Sequence, residues 1–285
     1  MTQLDWADIG LMAAGTLVVA VVLLREGLAG WQDPLRHCPI RANRLSPLAF
    51  WFCLMAYLMG GLVGSMLGEY LVPTSLSGPV RDAWVGVVAS FVLQIVTGGG
   101  CLLVAYVTFR AVLRGFGFRA EAFWREVAWA CGGWLAVLAL CGGVIWCTRL
   151  AINYFLPDFE PSEHTVFTIL NTSETGVGVR MLTVFGAVVL APVGEEILFR
   201  GILQTAFMKL VPVRHHSRRH RWWAIGLASV LFGFMHFGTS QYIPALIVLG
   251  VVLGYLYEKR GSLLTPIVVH MLFNTKSMVW YFFST

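Results

Sequence analysis

Charge is what this chain lacks. Of its 285 residues only 12% are Asp, Glu, Lys or Arg, where a soluble domain carries about 25%. Hydrophobic residues make up 58%, with 11 Trp and 19 Phe. So few charges among such long apolar runs exclude an ordinary water-soluble domain and point to a polytopic membrane protein. The bilayer core accepts only helices or a closed barrel, because every backbone N–H and C=O must find a partner within the chain. A barrel needs strands that alternate apolar and polar residues, and that alternation is missing. The expected fold class is all-α, a polytopic membrane helix bundle of about eight transmembrane helices.

Other absences narrow the chemistry. The only aspartates are Asp5, Asp8, Asp33, Asp82 and Asp158, none inside an apolar run, so no membrane aspartate pair exists. No Gly-x-Ser-x-Gly nucleophile turn and no His-Glu-x-x-His helix is present. The six cysteines show no Cys-x-x-Cys spacing and are expected to be small buried hydrophobes. Asp5 and Asp8 stand where a signal peptide would carry basic residues, so no cleavable leader is expected.

Eight apolar stretches cover residues 9–24, 48–72, 84–109, 127–148, 181–208, 222–237, 243–257 and 263–283. A crossing takes about 20 residues, so the sixth and seventh are short and are expected to be tilted partners. Arg200 and Lys276 fall within stretches, and Arg81, Arg149 and Arg180 in the even-numbered connections. The other fifteen of the 20 Lys+Arg lie in the odd-numbered ones. The positive-inside rule therefore places both termini outside the cytoplasm in an integral, multi-pass protein. It also accounts for the net charge of +5 without a nucleic-acid partner. The basic run 213–221 reads as a topology anchor, with an anionic-lipid or substrate-steering patch as the alternative. Three parts follow: N-terminal helices over 1–150, an extracytoplasmic connection over 151–179, and a core over 180–285, all in one structural unit. The connection, with Asp158, Glu160, Glu163 and Glu174, is too polar to span and reads as a solvated loop, with a lid over the site as the alternative.

Against this apolar background three polar motifs stand out. The fifth stretch carries Glu195, Glu196 and Arg200. Each ionised side chain at mid-helix costs roughly 2.5–3.5 kcal/mol to insert, so intramembrane charges mark function by default. Glu196 and Arg200, four apart with the acid first, share a helix face and can neutralise each other. Glu195 points elsewhere, free for chemistry. Pro192 is expected to kink the helix beside it, and Gly194 and Gly201 to allow close helix approach. The sixth stretch offers Phe232-Gly-Phe-Met-His236 and the eighth His270-Met-Leu-Phe-Asn274, again i and i+4. Between them Gly250-Val-Val-Leu-Gly254 has the small-xxx-small spacing of tight helix packing, with no chemistry assigned.

Glu195, His236 and His270 thus bring a carboxylate and two imidazoles to membrane depth. Two arrangements suit them. In the first, Glu195 is the general base for a water, His236 orients or shares the proton, and His270 and Asn274 donate to an oxyanion. In the second, Glu195, His236 and His270 hold a divalent metal such as zinc, with a position open for water. Either one hydrolyses an amide.

Glu195-Glu196-x-x-x-Arg200, Phe232-x-x-x-His236 and His270-x-x-x-Asn274 resemble, in order, the three motifs of the CPBP family. That family comprises the CAAX prenyl endopeptidases and the bacteriocin-processing and abortive-infection membrane proteins. The resemblance covers roughly residues 180–277, including the stretch Gly261-Ser-Leu-Leu-Thr-Pro-Ile-Val-Val-His270. It implies an integral-membrane endopeptidase in which Glu195 and His236 activate water and His270 and Asn274 stabilise the oxyanion. Glu196 and Arg200 are then supporting residues. The implied partners are membrane lipid and a protein or peptide substrate. Family members are often labelled metalloproteases, although the glutamate mechanism needs no metal.

Two other classes compete. An ion- or proton-coupled transporter also uses buried carboxylates and histidines, but its paired broken helices have no counterpart in the first half. A non-catalytic scaffold or immunity protein would not need all three motifs.

Overall fold

The computed structural model describes residues 3–25, 34–35, 38, 45–46, 48–109, 111–172, 174–210 and 218–284, with side chains left aside at 3, 4, 218, 219 and 284. The described residues form helices and no strand. Eight are long: α1 Gln3–Arg25, α2 Leu48–Leu71, α3 Gly78–Thr108, α4 Phe123–Phe155, then after a short α5 Thr165–Asn171, α6 Val177–Leu210, α7 Arg218–Phe234, α8 Ile243–Arg260 and α9 Leu264–Ser284.

Six of the helical segments are long and apolar enough to cross a membrane: Asp5–Arg25, Leu48–Leu71, Gly78–Thr108, Ala120–Phe155, Val177–Leu210 and Phe237–Arg260. The protein is integral to the membrane. The expected sixth and eighth spans fall on α7 and α9. The first is only 17 residues long, and the second carries His270, Asn274 and Lys276.

Small residues decide how closely the helices meet. Gly60, Gly64 and Gly68 make one stripe along α2 and lie against Leu93, Ala89 and Val85 of α3. A Cβ at Gly64 would stand 3.1 Å from the Ala89 Cα and 3.2 Å from its carbonyl carbon. Lipid tails are as apolar as leucine, so van der Waals fit of this kind drives helix association in a membrane. The small-xxx-small pair of α8 behaves likewise: a Cβ at Gly250 would meet Ser229 of α7, and one at Gly254 the Gln204 side chain of α6.

α4 lies against α1, α8 and α9, and one buried apolar cluster draws on both halves of the chain, from Cys53 and Cys101 to Phe232, Leu253 and Val269. Four of the cysteines are buried as expected, while Cys131 and Cys147 are exposed. At the α8–α9 turn Gly261 takes the left-handed conformation, φ 62°, and ends α8, with its N–H on the Tyr257 carbonyl at 2.9 Å. Beside that turn Glu126 of α4 is clasped by Arg260 at 2.7 and 3.0 Å and by Thr265 at 2.7 Å.

The connection before α6 is more ordered than a solvated loop. Val166, Phe167, Ile169 and Leu170 give it an apolar helical face, and α5 forms there. Ile169 packs with Ala83, Val87 and Val179. Ser162 donates to the Gly238 carbonyl at 2.7 Å, Gln241 donates back to the Ser162 carbonyl at 2.6 Å, and Tyr281 donates to Asn171 at 2.5 Å. The connection therefore reaches from the α7–α8 junction to the end of α9. The basic run from 213 to 217 lies outside the described residues, as do Arg25's neighbours 26–33 and Arg36, Arg41 and Arg44.

Candidate active site

Pro192 is where the special geometry of α6 begins. Proline has no N–H to give to the carbonyl four residues back, and its ring crowds that turn. The helix widens around it: residues 186–190 and 197–204 are wound as π-helix, with one α-helical stretch, Ala191–Glu196, between them. π-turns of this kind gather at functional sites because they re-aim side chains. Here they surround both glutamates.

Glu196 turns inward and Glu195 does not. The Glu196 side chain is 0% exposed and Arg200 1%, and the guanidinium donates to the carboxylate at 2.7 Å. Arg200 also donates to the Gly250 carbonyl at 3.3 Å and lies over the Phe232 ring, 4.6 Å from its centroid. A buried pair needs further partners to offset its desolvation; α8 supplies one through the Gly250 carbonyl and α7 the Phe232 ring, while Arg200 Nε and Glu196 Oε2 find no hydrogen-bond partner among the described residues. Glu195 keeps 16% of its side chain exposed. It is the more accessible of the two carboxylates.

His270 bridges the two acids. Its Nδ1 lies 2.9 Å from Glu196 Oε1 and its Nε2 3.8 Å from Glu195 Oε2. An ionised carboxylate only accepts, so the Glu196 contact places a proton on Nδ1; in the neutral imidazole Nε2 then carries the lone pair, and that nitrogen faces Glu195. Neutral His270 cannot donate to an oxyanion from Nε2. It does so only as imidazolium.

His236 departs from the expected helical position. α7 ends at Phe234, and His236 sits in the turn that follows, with φ −101° and ψ 31°. The tight bond from its N–H to the Gly233 carbonyl, 3.1 Å, takes it off the helix. The ring still returns to the motif, since Nδ1 donates to the Phe232 carbonyl at 2.8 Å. Its centroid is 5.0 Å from that of Phe232, and His270 flanks the same ring at 5.7 Å. Phe232 is thus the apolar wedge between the imidazoles. Among the described residues His236 has no polar contact with Glu195. Asn274 donates to the Ala187 carbonyl at 2.8 Å, tying α9 to the first π-stretch and leaving its second N–H uncommitted.

In both imidazoles Nδ1 is taken by a partner, so Nε2 is the nitrogen left to hold a metal. Yet among the described residues no three His, Cys, Asp or Glu side chains gather closely enough to hold one ion. Glu195, His236 and His270 in this arrangement do not fit a bound metal.

The support beneath the site escaped the motif reading. Gln204 donates to the Gly254 carbonyl at 3.2 Å and to Glu258 at 2.9 Å, and Arg221 donates to Glu258 at 2.6 Å. Glu196, Arg200 and Gln204 on α6 therefore face Gly250, Gly254 and Glu258 on α8, each set at four-residue steps. The signal was present: both known motifs extend by one further polar residue at the same spacing.

Neither a curated protein nor a solved structure matches the chain. Residues 178–275, which hold every side chain of this site from Glu195 to Asn274, match the family model described as type II CAAX prenyl endopeptidase, Rce1-like, the same family the three motifs resemble.

Proposed function

We propose that this protein is a membrane-embedded endopeptidase that hydrolyses a membrane-associated or CAAX-like protein substrate with water activated by Glu195. The observation that carries the reading is the division of labour between adjacent carboxylates. Glu196 is locked to Arg200 and His270, whereas Glu195 is partly exposed with a histidine nitrogen 3.8 Å away. Water placed between Glu195 and His270 gives its proton to the glutamate and attacks the scissile carbonyl. The proton then passes to the leaving amine. Before that last transfer Glu195 hands the proton to Nε2 of His270, whose Nδ1 is held by Glu196, and the imidazolium so formed stabilises the oxyanion together with the second N–H of Asn274. His236, across the Phe232 ring and without a direct polar contact to Glu195 among the described residues, shares the proton by way of a bridging water. No step passes through a metal.

The reading extends to the whole chain. Eight helices cross the membrane with both termini outside, and the helices of 1–150 form one unit with the core of 180–285. Replacing Glu195 by Gln and, separately, by Ala tests the assignment. Both variants should fold, bind a farnesylated CAAX peptide and fail to cleave it. Cleavage at the wild-type rate in both would remove Glu195 from the mechanism.

A further inference from the structure

Two polar side chains outside residues 178–275 stand beside Glu195, one from each helix of the glycine-packed pair α2–α3. Tyr57 of α2 is half-buried and packs on the same core as Val193 and Ile197, which flank the two glutamates. Its phenol is within electrostatic reach of the Glu195 carboxylate. Gln94 of α3, also half-buried, presses its carboxamide oxygen onto Gly194, where a Cβ would overlap it. Glycine at 194 is what lets that amide reach the backbone next to Glu195.

Packing does not explain these two groups. A hydroxyl or carboxamide at membrane depth is costly without a hydrogen-bond partner, and among the described residues neither side chain makes one. Phe and Leu would fill the same space at lower cost. A peptide backbone supplies what they lack: a carbonyl for the phenol O–H, and an N–H and C=O for the two ends of the carboxamide.

We propose that Tyr57 and Gln94 are substrate-binding residues of the active centre, hydrogen-bonding the backbone of the bound peptide beside Glu195. This rests on the peptidase reading and deepens it. The N-terminal helix pair would then be part of the substrate site as well as of the fold.

The test uses full-length protein in nanodiscs and a fluorescent, farnesylated CAAX peptide as probe. Tyr57→Phe and Gln94→Leu should each raise KM roughly tenfold, the size of one lost hydrogen bond, with kcat within about threefold. Their unfolding temperatures should match the wild type, as should the KM of Leu62→Ala on the exposed face of α2. In the Glu195→Gln background the same two changes should weaken peptide binding, read by anisotropy, by the same factor. Wild-type KM and binding in both variants, with Glu195→Gln inactive, would overturn this proposal and leave the peptidase reading standing. Wild-type turnover in Glu195→Gln would remove Glu195 from the reaction and this proposal's anchor with it, while a wild-type protein showing neither cleavage nor saturable peptide binding would overturn the peptidase reading itself.

Discussion

His270 Nδ1 lies 2.9 Å from the same Glu196 oxygen, Oε1, that accepts from Arg200 at 2.7 Å. One carboxylate oxygen therefore neutralises an arginine and fixes the tautomer of a histidine. Glu196→Gln keeps the volume and a carbonyl oxygen but removes the charge. Arg200 is then a buried cation without a counterion, which destabilises by about 3 kcal/mol, the lower end for a broken buried pair. Neutral glutamine also loses its hold on the His270 tautomer, and misplaced acid–base chemistry costs roughly 100-fold or more in turnover. Equilibrium unfolding in mixed micelles and peptide cleavage measure the two effects separately. Intact stability in this variant would mean that the pair contributes nothing to the fold.

The α2–α3 contact gives a prediction with a built-in control. Gly64→Ala forces a methyl into the Ala89 backbone, whereas a methyl at Gly61 meets nothing within 4 Å. Overpacking at a rigid contact costs about 1–3 kcal/mol, and the backbone atoms here cannot rotate away. Gly64→Ala should therefore lower the unfolding temperature and Gly61→Ala should not. Equal behaviour of the two would show that α2 and α3 do not meet along this stripe.

Polarity made the centre legible and hid its neighbours. Glu195, Glu196, Arg200, His270 and Asn274 stand out because charged and amide groups are rare in apolar helices. The inward turn of Glu196 followed from the four-residue step to Arg200. Partners on other helices were not legible: nothing in sequence spacing says that Arg200 reaches the Gly250 carbonyl or that Gln94 presses on Gly194. His236 left the expected helix because a tight turn at Gly233 took over one residue past Met235's neighbour Phe234, a local choice that periodicity does not report. The connection before α6 looked solvated because its acids flank, and so mask, the apolar face of α5. Gly60, Gly64 and Gly68 had the same spacing as Gly250 and Gly254 and were readable by the same rule.

Metal removal separates the two hydrolytic arrangements open to Glu195, His236 and His270. Their side chains do not gather as one ligand set in this structure, so peptide cleavage should survive prolonged dialysis against a strong chelator. Added zinc should not raise the rate, and metal analysis of active protein should find well under one equivalent. Loss of activity on chelation, restored by zinc, would require the imidazoles to move together and would reverse the assignment.

The connection that reaches the α7–α8 junction should respond to acid through His164. This histidine caps α5, where Nδ1 accepts from the Val166 N–H at 3.2 Å. Burial, and then the nearby His236, push its imidazole below the ordinary value of 6.5. A depressed histidine is held neutral in the folded connection, while the unfolded segment binds the proton more readily. The stabilisation is therefore complete above 6.5 and is lost as pH falls through that value towards the lower folded one. Protonation also removes the Nδ1 lone pair, and the cap goes with it. Limited proteolysis between Leu156 and Gly176 should accelerate as pH drops from about 7.5 to about 5. His164→Asn caps the helix without titrating, so its proteolysis should be nearly flat over that range once corrected for the protease's own pH dependence. A wild-type profile as flat as that of the variant would show that His164 does not hold the connection in place.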